Sequence, residues 1–321
     1  MNFDTAFDRP VPRGGYAWWY VDALAEDGCS GLAIIGFVGS VFSPYYARAR
    51  ARAEGAADPR AHCALNVGLY LPHRRLWSMT ERSDASLVRS ASELRVGRSS
   101  MRWDGDRLRI AIDEFAAPIP FRIRGEVVLR PRVVNQSAFA LEPRGRHWWR
   151  PIAPRADVEA EFESPRWSLR AAGYHDCNAG EEPLEDGFSR WQWTRAHLAD
   201  GATAITYDAQ PRRAPPTSLA LRIDPQGLCT RARPAPLAAL ERTAWGMERA
   251  ACAQDGRPPR IVRTLESGPF FARTLVATSI DGSEVVAMHE SLSLDRFRQP
   301  WVRALLPFRM PRNRRAVHAT S

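Results

Sequence analysis

Short apolar or alternating runs recur along the chain, each closed by glycine, proline, aspartate or asparagine: Ala33–Val38, Ala64–Leu71, Leu108–Ile112, Val127–Leu129, Ala204–Tyr207, Leu219–Ile223 and Thr274–Thr278. Runs of this length between turn formers predict strands, and many of them at close spacing predict a mainly all-β chain built as sandwiches or barrels. In the segment from Trp103 to Ile112, Asp104-Gly105 supplies a tight turn. Leu108, Ile110 and Ile112 then alternate with Arg107, Arg109 and Ala111, the mark of a hairpin with one buried face. A second hairpin is expected at Asp281-Gly282, feeding Val285–Met288. Helical spacing is confined to Ser43–Glu54, Pro236–Cys252 and the stretch around Trp301–Leu306. Proline, glycine and arginine interrupt the strand pattern over Pro143–Pro154 and mark a boundary. The expectation is an N-terminal β domain over 1–145, a C-terminal β domain over 146–312 and a disordered tail over 313–321.

Composition narrows this picture. The 321 residues are 45% apolar and 25% charged, as in soluble globular proteins. The longest apolar run, Gly31 to Phe42, is far short of the roughly 20 residues that cross a bilayer. The first residues, MNFDTAFDRPVPRGG, lack a basic region followed by an apolar stretch, so a cytoplasmic location is the expectation. All 45 basic residues are arginine, and the net charge is +9. Apart from clusters at Arg48–Arg52 and Arg309–Arg315 the arginines are spread along the chain, which favours attraction to an acidic lipid surface over nucleic-acid binding. Five scattered cysteines with no C-x-x-C pair point to neither a disulfide framework nor a cysteine zinc site.

No phosphate-binding glycine loop, H-E-x-x-H or G-x-S-x-G occurs. What remains is a set of polar residues among eleven tryptophans, a composition suited to a flat, apolar, unsaturated ligand. In RHWWRP and GYHD the two-residue strand period puts His147 with Trp149 and Tyr174 with Asp176, while His175 and Cys177 point away. An aspartate in an aromatic pocket is pushed toward its protonated form and becomes a candidate acid, with indole and phenol faces to stabilise a cation. The competing reading makes Asp176 a turn former beside Asn178 and Gly180. The acidic run Glu181 to Asp186 lacks calcium-loop spacing and reads as a solvated or arginine-paired loop. A zinc site of His147, His175 and Asp176 fails because adjacent strand residues face opposite ways. Trp148, Trp191 and Trp193 are candidates for lining the pocket.

Several stretches together resemble the bacterial carotenoid 1,2-hydratases, or hydroxyneurosporene synthases. They are RGGYAWWYVDAL (13–24), GFVGSVFSPYYARAR (36–50), HCALNVGLY (62–70), WSMTER (77–82), GRHWWRPIAP (145–154), GYHDCNAGEEPLEDGFSRWQWTRA (173–196), RTLESGPFFARTLVAT (263–278) and AMHESLSLDRFRQPWVRALLPFRMPR (287–312). The resemblance implies two lipocalin-like β domains and a cofactor-free, metal-free hydro-lyase that adds water to the terminal C1–C2 double bond of acyclic carotenoids such as neurosporene or lycopene. It implies Asp176 as proton donor, with His147, Trp149 and Tyr174 around it. His147 would orient the water, take its proton or hold Asp176 in its acidic form. The lipid-soluble substrate implies a peripheral protein on the cytoplasmic side of the inner or intracytoplasmic membrane, for which PWVRALLPFRMPR is a candidate anchor. The alternatives are an isoprenoid carrier without turnover and an acid-catalysed isoprenoid cyclase or isomerase.

Overall fold

The computed structural model describes residues 4–254, 256–280 and 282–313. It is a β protein with a few short helices, as the run pattern predicts. The strands in chain order are β1 (Tyr16–Leu24), β2 (Gly31–Val38), β3 (Cys63–Tyr70), β4 (Arg75–Met79), β5 (Glu81–Arg82), β6 (Leu87–Arg89), β7 (Glu93–Val96), β8 (Ser99–Asp104), β9 (Arg107–Phe115), β10 (Arg122–Val133), β11 (Phe139–Ala140), β12 (His147–Ser164) and β13 (Arg166–Gly180). There follow β14 (Phe188–His197), β15 (Thr203–Pro211), β16 (Thr217–Ile223), β17 (Cys229–Ala232), β18 (Leu237–Leu240), β19 (Arg249–Cys252), β20 (Arg260–Ser267), β21 (Phe271–Ile280), β22 (Ser283–Ser293) and β23 (Arg312–Asn313).

Contacts divide the chain into two units. Among the described residues the first comprises 4–140, 146–183 and 304–313; the second comprises 141–145 and 184–303. The boundary expected at residue 145 is therefore not where the chain divides. The proline-rich stretch read as a linker is the start of β12, an 18-residue strand paired with both β10 and β13. Its prolines remain in the ladder because the register shifts between Pro151 and Ala153 and again between Ala153 and Ala156, where a missing N–H is tolerated. The strands carrying Asp176 and its candidate partners thus belong to the first unit. Of the expected tail, Asn313 lies in β23, beside β5, and 314–321 lie outside the described residues.

The first unit is one long sheet in the order β23-β5-β3-β2-β1-β13-β12-β10-β9-β8-β7-β6. It curls so that one face closes on itself. Ala17, Trp19, Val21, Leu32, Ile34, Leu65, Val67 and Cys177 on one arm share a core with Leu94, Met101, Leu108, Ile110 and Val127 on the other. Gly36 faces this core because a Cβ there would meet Leu94 and Met101 at 2.8 Å. The interior is filled by side chains, so the first unit has a packed core. The expected hairpin is present, with Leu108, Ile110 and Ile112 buried and Gly105 in the turn at φ +61°. A buried ion pair, Arg82 Nη2 to Glu114 Oε2 at 2.7 Å, seals part of the unit.

The second unit is a sheet in the order β17-β16-β15-β14-β22-β21-β20, with the separate hairpin β18–β19. That hairpin occupies Pro236–Cys252, which the spacing predicts to be helical. The chain instead turns at Gly246, whose φ of +72° no helix passes, and the Met247 amide closes the turn on Thr243 Oγ1 at 3.1 Å. The other two helices form as expected. In α1 (Pro44–Arg52) Ser43 caps the Tyr45 and Tyr46 amides, and proline starts the first turn. The last helix, α2 (Pro300–Arg309), buries Val302 and Leu306 and exposes Trp301, Leu305 and Phe308. Among the described residues no helix is long and apolar enough to cross a membrane.

Candidate active site

Strand alternation puts two different faces on β1, β13 and β12. One face is the apolar core. The other carries His147, Trp149, Tyr174, Asp176 and Asn178 together with Tyr16, Trp18, Tyr20 and Asp22 of β1. The register arranges these in rows across the sheet: Trp149, Asn178, Trp18 and Phe37 in one, then Pro151, Asp176, Tyr20 and Ile35, then Tyr174, Asp22, Ala33 and Gly68. This is the outer face of the curled sheet, away from the packed core. GYHD lies within β13, so Asp176 is a strand residue and the turn-former alternative falls.

Asp176 is 4% exposed, and its Oδ2 accepts two hydrogen bonds, from Trp149 Nε1 and from the Tyr174 hydroxyl, each 2.9 Å. These donors converge because Tyr174 is two residues along the same strand and Trp149 sits one row over on β12. Both bonds fall on one oxygen. Two donors therefore converge on a single oxygen of a buried carboxyl, where they stabilise negative charge.

His147 is on the same face but pairs with Gly180, four residues from Asp176 along the strand, roughly 13 Å of backbone. Its Nε2 lies 3.5 Å from Glu182 Oε1, and its Nδ1 2.9 Å from the Tyr16 hydroxyl. With Nε2–H directed at the carboxylate, Nδ1 accepts from Tyr16. His147, with Arg146 bonded to the other Glu182 oxygen at 2.6 Å, outweighs burial and holds the Glu182 carboxyl down to about 2. Tyr16 in turn stacks on Trp18, with centroids 5.0 Å apart and planes at 15°. Trp18 meets Phe37 and Phe42 at 6.0 and 6.4 Å. The close approach requires glycine at 180, where a Cβ would meet the Tyr16 ring at 2.3 Å and His147 Nδ1 at 2.7 Å.

His175 and Cys177 point to the core face, as the two-residue period predicts. Burial lowers the His175 imidazole to about 4; its Nδ1–H donates to the Tyr20 carbonyl at 2.8 Å, and Trp103 packs on it at 5.8 Å. Trp148 also packs against the core cluster, on the side opposite Asp176. Trp191 and Trp193 are buried on β14 of the second unit, where Trp191 meets Phe188 and Tyr207 edge-on at 5.7 and 5.5 Å. The acidic run is arginine-paired: Glu182 with Arg146, Glu185 with Arg303 and Asp186 with Arg298. Among the described residues no group of histidine, cysteine or carboxylate side chains could hold a metal ion.

Sequence reasoning missed Tyr16, Trp18, Tyr20 and Asp22. A signal existed, because Tyr20-Val-Asp22 repeats the spacing of Tyr174-His-Asp176, and the second pair bonds as the first does: the Tyr20 hydroxyl donates to Asp22 Oδ2 at 2.9 Å.

Comparison with known proteins gives a consistent result. Residues 34–319 match the model of the family described as Carotenoid hydratase CrtC. The chain is 48% identical over 309 residues, 95% of its length and 75% of the relative's, to the acyclic carotenoid 1,2-hydratase of Thiocapsa roseopersicina. It is 42% identical to that of Rubrivivax gelatinosus over 95% of this chain and 75% of the other. With the Rhodobacter capsulatus protein of the same name it shares 40% over 87% of this chain and 97% of that one. Among solved structures, an AttH protein from Nitrosomonas europaea superposes with a TM-score of 0.62 at 15% identity, over 90% of this chain and 94% of the other. CghA with Sch210972 superposes at 0.52 and 12%, covering 92% and 96%. These two likenesses show the lipocalin-like fold alone.

Proposed function

The chain belongs to the carotenoid hydratase family, hydro-lyases that hydrate acyclic carotenoids, and from that premise we propose that it adds water across the terminal C1–C2 double bond of a substrate such as neurosporene or lycopene, with Asp176 as general acid. Asp176 gives its Oδ1 proton to C2 as the alkene electron pair forms the new C–H bond. The positive charge is left on C1, where three carbon substituents stabilise it. A water oxygen then bonds to C1 and loses a proton, giving a tertiary alcohol.

Protonating an isolated alkene demands a strong acid sheltered from water and walls that tolerate a cation. The observation that carries the reading is the double hydrogen bond onto Asp176 Oδ2 from Trp149 and Tyr174, within a face rich in tyrosine and tryptophan. The ring faces of Trp18, Tyr20 and Tyr174 offer the negative quadrupoles that a carbocation requires. His147 acts as a positioning residue, holding Tyr16, and through it Trp18, from the far end of the face. Trp191 and Trp193 stay candidates for contact with the polyene, whereas Trp148, turned into the core, leaves that set. The chain works at a membrane surface, for which α2 supplies the exposed stripe of Trp301, Leu305 and Phe308 on a strongly basic protein.

The test is turnover of lycopene in liposomes followed by mass spectrometry. The wild-type chain should give a product heavier by one water, and Asp176→Asn should give none while still co-sedimenting with pigment. An unchanged carotenoid that co-purifies with wild-type protein would make it a carrier; a product of unchanged mass would make it an isomerase or cyclase. Near-normal activity in Asp176→Asn would remove Asp176 as the donor.

A further inference from the structure

Hydration needs two proton transfers, one onto C2 and one off the attacking water, and Asp176 accounts for the first. We propose that Asp22 is the second catalytic carboxylate, the base that takes the proton from water as its oxygen bonds to C1. This rests on the hydratase reading above. Four observations carry it.

Asp22 is wholly buried and lies on the same face as Asp176, one strand away. The register is reciprocal: Tyr20 stands opposite Asp176, and Tyr174 opposite Asp22, so two tyrosines and two aspartates alternate around one patch. Each tyrosine hydroxyl donates to the aspartate two residues on in its own strand, both at 2.9 Å, and the two rings lie 6.2 Å apart. Diagonal neighbours on an antiparallel pair stand roughly 7–8 Å apart along the backbone, so the two aspartates share one patch of the face.

The fourth observation separates their roles. Beyond Asp22 in its row come Ala33 and Gly68 before the next large side chain, Trp77 of β4, so two positions beside Asp22 carry little or no side chain. Asp176 is flanked instead by Pro151 and Tyr20 and carries the Trp149 indole bond, which suits the group that must leave its proton on carbon. The cycle balances: Asp176 loses a proton to C2, the C1=C2 pair becomes the C2–H bond, a water lone pair becomes the C1–O bond, and the released proton goes to Asp22. Its return from Asp22 to Asp176 restores the starting state, and the sum is addition of H–OH.

The experiment uses the full chain with lycopene in liposomes and sodium azide as a nucleophile that needs no base. Wild type should form the C1 alcohol with some C1 azide. Asp22→Asn should lower alcohol formation by roughly 100- to 10,000-fold, the span of a lost general base, while the azide adduct persists. The alcohol-to-azide ratio would collapse, which a merely structural lesion does not do because it lowers both products together. Should Asp22→Asn fail to fold, Tyr20→Phe, which removes the hydroxyl that orients Asp22, is expected to move the ratio the same way. An unmoved ratio in the folded variant, or alcohol within about threefold of wild type, overturns the assignment. A wild-type chain that makes no alcohol overturns the hydratase reading itself, and this role with it.

Discussion

Replacing Tyr174 by Phe removes one oxygen atom and tests the proposed role of Asp176 as the general acid. The ring keeps its place beside Tyr20, 6.2 Å away, and Asp176 keeps the Trp149 bond, so what is lost is one of two donors on Oδ2. That donor is worth most when the carboxylate is negative, after the proton has moved to carbon. A hydrogen bond to an ionised group contributes about 1.5–3 kcal/mol, and each 1.36 kcal/mol is tenfold in rate, so kcat should fall roughly 10- to 150-fold. The free acid gains little from the bond, so KM should stay within about twofold, as for an interaction made in the transition state. The assay is initial-rate formation of the hydrated carotenoid in liposomes, with thermal unfolding of both proteins to show that the variant is folded. A kcat within threefold of wild type, or a loss confined to KM, would refute the argument that Tyr174 strengthens the acid.

Three further outcomes follow from other parts of the molecule. The buried His175 ring has its folded value lowered from 6.5 to about 4 by desolvation, so the unfolded chain binds the extra proton in that window. Its contribution is fully present above pH 6.5 and is lost by about 1.4 kcal/mol per unit as pH falls toward 4; urea melts at pH 7, 5.5 and 4.5 should show the decline, and His175→Gln should flatten it. Arg82→Ala leaves Glu114 buried without its 2.7 Å partner and should cost about 3–5 kcal/mol in urea unfolding, whereas an exposed pair such as Arg132 with Asp157 should contribute less than about 1 kcal/mol. Substituting Trp301, Leu305 and Phe308 together by Ser should leave melting nearly unchanged and weaken sedimentation with anionic liposomes at least tenfold; equal sedimentation would remove α2 as the membrane contact.

The fold class was legible because turn chemistry and run length are local: Asp104-Gly105 and Ser43-Pro44 announced a hairpin and a helix start that the chain adopts. So was the pairing of Tyr174 with Asp176 and of His147 with Trp149, since the two-residue period needs only that the segments be strands. The long strand β12 was not, because Pro151 and Pro154 read locally as breaks and only the bulges accommodate them. The hairpin β18–β19 was lost to helix-forming residues whose outcome Gly246 decides. Asp22 was hidden for a different reason. Which strand lies beside β13 is set by long-range pairing 150 residues apart in sequence, and no spacing within either segment encodes it.

One sheet one residue thick therefore serves two masters at β1, with Ala17, Trp19, Val21 and Ala23 turned inward and Tyr16, Trp18, Tyr20 and Asp22 turned outward. For protein engineering this is a ready-made division of labour. Libraries drawn from the odd-numbered positions act on the packed core alone, and libraries from the even-numbered ones act on the face that carries Asp22 and, across the strand pair, Asp176. A one-residue slip of β1 would exchange the two sets wholesale, so insertions or deletions within this strand should be the least tolerated lesions in the chain.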